Sequence, residues 1–406
     1  MKKLFSIVFL SITLCGDSML NLMLIWTILE RQGSVVHLGV TICIMSVFPY
    51  LLQKYVKPLK MILSSNPLMV FATVRILGIL MLGLLFFILD QENIYTYYVI
   101  GGVFACIFFL SMQSLEAYMS QKVLEGKVDS SLASNHLQAA IQIGAFAGNS
   151  LTGVLLGLGG IEMVGFILSM TLLIGVGIPF VLPLLSDQTG NTTEKMTKPV
   201  NPDPLDAVKL RSGIPKDHML RLTVAGVTVL TVQLASINFL LPIIFHDVYE
   251  WSSAQYGVVG AAMGLGAFMS TVLGRFGRFV PYASFGLILF IDTLLGTIES
   301  WSLAIVLGFS LGLVFNRFRI YQRILMFKFL KTKEETVIWS GRTTTAFQFT
   351  KALTPLLLVY PLTWIGISNA GILLAMMGVL LTGLLGIIYR YETKWISHDE
   401  QEEYVA

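Results

Sequence analysis

The sequence predicts an all-α membrane protein: twelve transmembrane helices in two pseudo-symmetric six-helix halves. Three observations carry that expectation: an apolar excess, apolar windows of spanning length along the whole chain, and a one-sided distribution of basic residues. Of 406 residues, 55% are hydrophobic and 13% charged, whereas soluble domains average about 45–50% apolar and about 25% charged. The surplus must face lipid. A net charge of +3 marks no polyanionic partner, and no nucleic-acid contact is expected.

Apolar windows between turn or charge clusters fall at 4–29, 34–52, 67–89, 95–115, 132–158, 163–185, 219–245, 253–273, 283–298, 301–325, 343–364 and 367–389. Each approaches the roughly 17–25 residues that cross a bilayer. Lys2-Lys3 before an apolar run has the outline of a signal peptide, but the run is too long and no small-residue cleavage site follows, so it reads as the first span.

With both termini on one side, of 27 lysines and arginines only Arg31 falls on the opposite side. Arg75, Arg221, Arg317, Arg319 and Lys351 lie within or near the ends of spans, and the rest occupy the tails and the even-to-odd loops. The positive-inside rule makes those tails and loops cytoplasmic in an inner (plasma) membrane protein. A shift of one span would scatter the charges over both sides. The polar segment 186–218, with Pro199, Pro202, Pro204 and Pro215, reads as a cytoplasmic linker between halves 1–185 and 219–406. Its "NTT" at Asn191 matches a glycosylation sequon that a cytoplasmic loop never presents to the machinery.

Charge inside a span costs about 2.5–3.5 kcal/mol on insertion scales, so it marks either a water-filled cavity or a fixed pair holding helices together. Asp17 and Asn21 share a face of the first span, and Gln233 and Asn238 stand at similar depth in the seventh. Gln113 and Glu116 lie three apart in the fourth. Asn316, Arg319, Gln322 and Arg323 form one stripe on the tenth, with Arg317 directed elsewhere, and Gln348 and Lys351 lie on the eleventh. Arg75 and Asp292, on the third and ninth, fit structural pairs. Glu116, Arg323 and Arg342, near cytoplasmic ends, fit snorkelling or an inter-half latch.

Small residues at four-residue spacing form the second signal. Gly144, Gly148, Asn149, Gly153 and Gly157 line the fifth span, and Gly260 and Gly264 the eighth. Such stripes let helix backbones approach, either as static packing or as a surface that slides between halves.

Enzymatic chemistry is not expected. "GFSLG" at 308–312 matches a nucleophile elbow but lies within an apolar helix, without the strand-turn-helix context. There is no phosphate-cradling loop and no HExxH. Cys15, Cys43 and Cys106 lie in apolar runs with neither metal nor disulfide spacing. No metal or cofactor is expected, and any transport would run on an ion gradient.

These residues resemble the major facilitator superfamily, and within it the branch of macrolide-efflux and enterobactin-type siderophore exporters. "GDSMLNLMLIWTILE" in the first span is similar to that branch's Gly-Asp opening, and "GNSLTGVLLGLGG" in the fifth to the exporters' antiporter motif, with Asn149 in place of its proline. "WSSAQYGVVGAAMGLGAF" and the passage through Gly341-Arg342 also resemble it. The latch after the second span is reduced to "YLLQKYVKPLKMI", without its Gly, Asp or Arg, while "GRFGRF" keeps Gly274, Arg275 and Arg278 but no acid.

The resemblance implies a monomeric, proton-coupled exporter of a small amphipathic or anionic, siderophore-like metabolite, working by alternating access. Asp17 and Glu116 are the expected proton-coupling carboxylates. Asn21, Gln113, Gln233, Asn238, Asn316, Arg319, Gln348 and Lys351 are the expected substrate-binding residues, and the glycines with Asn149, Arg275 and Arg342 the gating and packing set. Macrolide or multidrug efflux, proton-coupled import of an organic anion or metal complex, and a non-transporting receptor or assembly factor remain alternatives.

Overall fold

The computed structural model describes residues 2–32, 34–55, 66–88, 93–124, 130–181, 216–273, 281–329 and 333–405. Most of the linker and the "GRFGRF" segment with Arg275 lie outside the described residues. The described elements are eleven α-helices, with no strand among them: α1 (Lys2–Gln32), α2 (Val35–Tyr55), α3 (Pro67–Ile88), α4 (Ile94–Leu124), α5 (Ser130–Val176), α6 (Lys216–Ile243), α7 (Ser253–Leu273), α8 (Pro281–Thr297), α9 (Trp301–Phe329), α10 (Lys333–Ile365) and α11 (Ala370–Val405). Eight of the apolar helices are long enough to cross a membrane.

Two expected spans run together in α5. The apolar stretch Ala139–Val181, which begins in α5 and runs past its end, has 43 residues and would extend about 65 Å at about 1.5 Å per residue, roughly twice a hydrocarbon core. Gly160 breaks it with φ 65 and ψ −160, a backbone that a side chain disfavours and glycine accepts. The expected Gly159-Gly160 turn is therefore a sharp bend without an intervening loop.

Proline shapes the end of α6. Pro242 lacks an N–H and displaces the carbonyl one turn earlier, and the helix widens into a π-turn at Ile244–Val248. Tyr249 N–H donates to the Ile244 carbonyl at 2.9 Å and Trp251 N–H to the Phe245 carbonyl at 2.7 Å.

Helix packing separates two groups. In the first, α1 lies along α5, α2 and α3 pack on α4, and α3 also meets α5; in the second, α7 packs on α9, α8 on α11 and α9, and α6 on α10 and α11. Between the groups the main contacts are α5 with α7 and α2 with α10. Those contacts include the end remote from the chain termini, where a Cβ on Gly39 would come within 2.6 Å of Val359 Cγ2. There too Trp26, 1% exposed, crosses from α1 to stand edge-on to His246 at 5.0 Å and tilted against Tyr256 at 5.8 Å. Its indole N–H donates to Glu30 at 2.5 Å. One apolar core spans both groups, and a smaller one around Leu10, Phe71, Leu115 and Ile178 completes the first group.

Candidate functional site

The two helices that begin the groups each carry one lone exposed amide. From residue 13 to 29 of α1 every residue is buried or half-buried except Asn21, and from 222 to 245 of α6 every residue is except Asn238. An isolated exposed amide in an otherwise buried helix opens onto water within the bundle, since lipid would leave its hydrogen bonds unmet. Lys351 of α10 is the third such group. Phe349, Leu353, Leu357, Tyr360 and Trp364, all exposed, share one face of α10, and at about 100° per residue Lys351 lies on the opposite face. It is exposed, and its charge acts on Asp17 of α1. Asn21, Asn238 and Lys351, with Asp17 one turn from Asn21, make up the candidate site between the two groups.

Asp17 has a second cation beside it that sequence reasoning assigned to a separate structural pair. Arg75 of α3 is 0% exposed and acts on Asp17 more strongly than Lys351 does. Its guanidinium carbon lies 4.8 Å from the Phe71 ring centroid and 5.3 Å from that of Phe108. Two glycines make room: a Cβ on Gly16 would stand 3.8 Å from an Arg75 terminal nitrogen, and one on Gly175 would stand 3.3 Å from the Arg75 methylenes.

The second group holds the counterpart. The displacement along the chain that carries Asn21 onto Asn238 also carries Arg75 onto Asp292, replacing a cation with an acid. Asp292, 0% exposed, accepts a hydrogen bond from the Gln233 amide, and Gly378 of α11 lies against its carboxylate, where a Cβ would meet Oδ2 at 2.8 Å. Gln233 is thus 1% exposed and bound to Asp292, whereas Asn238 is exposed.

Other expected site residues are dispersed. Asn316, 5% exposed, donates to the Ala267 carbonyl at 2.7 Å and to Ser270 Oγ at 2.6 Å, tying α9 to α7. Gln113 is half-buried on α4, while Glu116 and Arg319 are exposed on α4 and α9. Gln348 lies three positions before Lys351 on α10. Arg342 stacks over Trp339, its guanidinium carbon 4.5 Å from the ring centroid.

The glycine stripe on α5 divides between two neighbours. A Cβ on Gly144 would meet the Ser11 carbonyl at 2.8 Å and one on Gly148 would meet Ser18 Cβ at 2.8 Å, so these two seat α1 within the first group. Gly153 and Asn149 instead face α7, where a Cβ on Gly257 would come within 2.9 Å of both the Asn149 carbonyl and Gly153 Cα. Gly260 also faces Asn149, and Gly264 lies against Phe146. Gly157 stands at the edge, 3.9 Å from Ala254. The "GFSLG" glycines, Gly308 and Gly312, pack α9 onto Val259 and Met263 of α7, which explains that match without chemistry.

Apolar helices of spanning length in two packed groups define a multi-pass membrane protein. The family model described as Major Facilitator Superfamily matches residues 6–321, and the chain belongs to that family. Solved structures agree in fold. The nucleoside transporter NupG superposes with a TM-score of 0.66 at 13% identity, covering 96% of this chain and 99% of that one. A bacterial homologue of the iron transporter ferroportin in an inward-facing state gives 0.65 at 14%, covering 97% and 98%. A bacterial homologue of the human lysosomal transporter Spinster, inward-facing and unoccupied, gives 0.63 at 12%, covering 98% and 97%. No curated protein matches the chain by sequence.

Proposed function

We propose that this protein is a proton-driven exporter of a small amphipathic or anionic, siderophore-like metabolite, acting by alternating access at the site between α1, α6 and α10. The observation that carries this reading is the pair of lone exposed amides, Asn21 and Asn238, with Asp17 one turn from Asn21 and within reach of the Lys351 charge. The amides offer neutral donors and acceptors to a polar substrate, and Lys351 offers a charge for a carboxylate or catecholate. An inward proton gradient drives export only if proton and substrate bind in competition, and Asp17, near Lys351, is placed for that competition. Glu116 is the second candidate carboxylate.

In this reading the two arms of α5 count as separate spans, giving twelve. With the basic side cytoplasmic, the contacts remote from the termini close the extracellular end, so the site faces inward. Gly153, Gly257, Gly260 and Gly264 form the surface on which the halves rock.

The test is gradient-driven efflux from proteoliposomes, with a catecholate siderophore and a macrolide as probes. Asp17→Asn is expected to lower siderophore efflux more than about tenfold while sparing binding. Wild-type efflux by that variant overturns the assignment of the coupling carboxylate. Macrolide efflux without siderophore efflux identifies the drug-export branch instead, and accumulation driven by the same gradient identifies import.

A further inference from the structure

Arg75 has no assigned role in that scheme, yet it is fully buried. All three guanidinium nitrogens are buried and lack a hydrogen-bond partner. One Asp17 carboxylate oxygen, Oδ1, is likewise buried and unpartnered. Native structures rarely leave buried donors and acceptors unmet, and each exception calls for an explanation. Here a donor-only cation and an acceptor lie close without bonding to each other, an Arg75 terminal nitrogen standing 3.8 Å from where a Cβ on Gly16, the residue before Asp17, would be.

Among the described residues, the charges acting on Asp17 are those of Arg75 from α3 and Lys351 from α10, and Asp17 in turn acts on Cys15 of its own helix. The charge acting on Arg75 is that of Asp17. The phenyl rings of Phe71 and Phe108 hold the cation by cation–π attraction and supply no acceptor. Thr171, across from Gly16, gives its hydroxyl to the Leu168 carbonyl at 2.8 Å. Gly16 leaves room on α1 beside an Arg75 terminal nitrogen, and Gly175 leaves room for the Arg75 methylenes. This is a cradle built for an arginine beside an acid, seen with the bond unmade.

We propose that Arg75 is the positioning residue for Asp17: it binds the Asp17 carboxylate directly when the coupling proton has left, and stands apart when the proton is bound. The proposal rests on the reading of Asp17 as the coupling carboxylate. One proton moves between water and Asp17, and Arg75 keeps its charge throughout. Lys351, on water, is then left to the substrate, so the two cations beside one acid divide the work: the buried one serves the proton and the exposed one the ligand.

The experiment is infrared titration of the carboxyl band in the full-length protein in lipid nanodiscs, with the Asp17 contribution taken as wild type minus Asp17→Asn. It needs no substrate. Arg75→Gln is expected to move the Asp17 midpoint by about one pH unit or more toward alkaline pH, a unit being about 1.4 kcal/mol, because the ionised form loses its partner. Arg75→Lys, which keeps the cation, is expected to restore most of that shift. An unmoved midpoint in Arg75→Gln makes Arg75 a packing residue and overturns the proposal. If Arg75→Gln does not reach the membrane, Asp17→Asn/Arg75→Gln decides: recovery of wild-type levels supports the pair, and continued loss overturns it. Failure of the parent reading looks different, since Asp17→Asn would then retain gradient-driven efflux whatever the infrared midpoint does.

Discussion

At the scale of single residues, position within the bundle decides what a polar side chain does more than its chemistry. Gln233 and Asn238 are both amides on α6, but one is bound to buried Asp292 and the other is exposed. Truncating Gln233 strands a buried carboxylate oxygen, and an unsatisfied buried acceptor costs about 1–3 kcal/mol. Gln233→Ala is therefore expected to lower the thermal unfolding midpoint in detergent, and Asp292→Asn, which keeps shape and a hydrogen bond, to lower it less. Asn238→Ala removes no such partner. Its expected signature is weaker substrate retention at unchanged unfolding temperature, and the two readouts together separate structural from ligand-facing amides. The sequence pattern placed all four residues in membrane helices. It did not pair Arg75 with Asp17 or Gln233 with Asp292, because helical phase fixes a residue's face but not which distant helix packs on that face.

At the scale of the helix, the α5 stripe shows what spacing conveys. Glycines four apart announce close approach, but the periodicity is blind to the partner. As α5 rises its facing surface passes from α1, at Gly144 and Gly148, to α7, at Gly153. The consequences of substitution should divide at that boundary. Gly144→Leu forces a side chain into α1 backbone within one group and is expected to cost about 1–3 kcal/mol as overpacking, read as a lower unfolding midpoint. Gly257→Leu strikes the seam between groups, so each group can still fold while the seam cannot close. The expected result is normal membrane insertion, lost transport, and increased labelling of a cysteine at position 21 by an impermeant thiol reagent added on the side remote from the termini. Unchanged labelling would mean that the seam accommodates the side chain.

At the scale of the whole molecule, the architecture was legible because bilayer thickness and the insertion machinery write themselves into sequence as window length and charge asymmetry. The windows 132–158 and 163–185 part at Gly159-Gly160 and Glu162, but that Gly160 turns the chain without a loop is a backbone property that hydropathy does not record. What sequence does not encode locally is which end of the two groups is shut, because that depends on contacts between α2 and α10 or α5 and α7, far apart in the chain. Gly39 and Val359 provide a test of that state. In a background with Cys15, Cys43 and Cys106 replaced by alanine, Gly39→Cys/Val359→Cys sets two thiols on backbones close enough for the Cβ separation of about 3.5–4.5 Å that a disulfide requires. Replacing valine also removes the methyl that crowds position 39. Oxidation is expected to cross-link the two groups and stop transport, and reduction to restore it, because a transporter that rocks about a central site must break this contact once per cycle. Full transport by the cross-linked protein would show that the groups need not separate at this end, and the rocking scheme would fail with it.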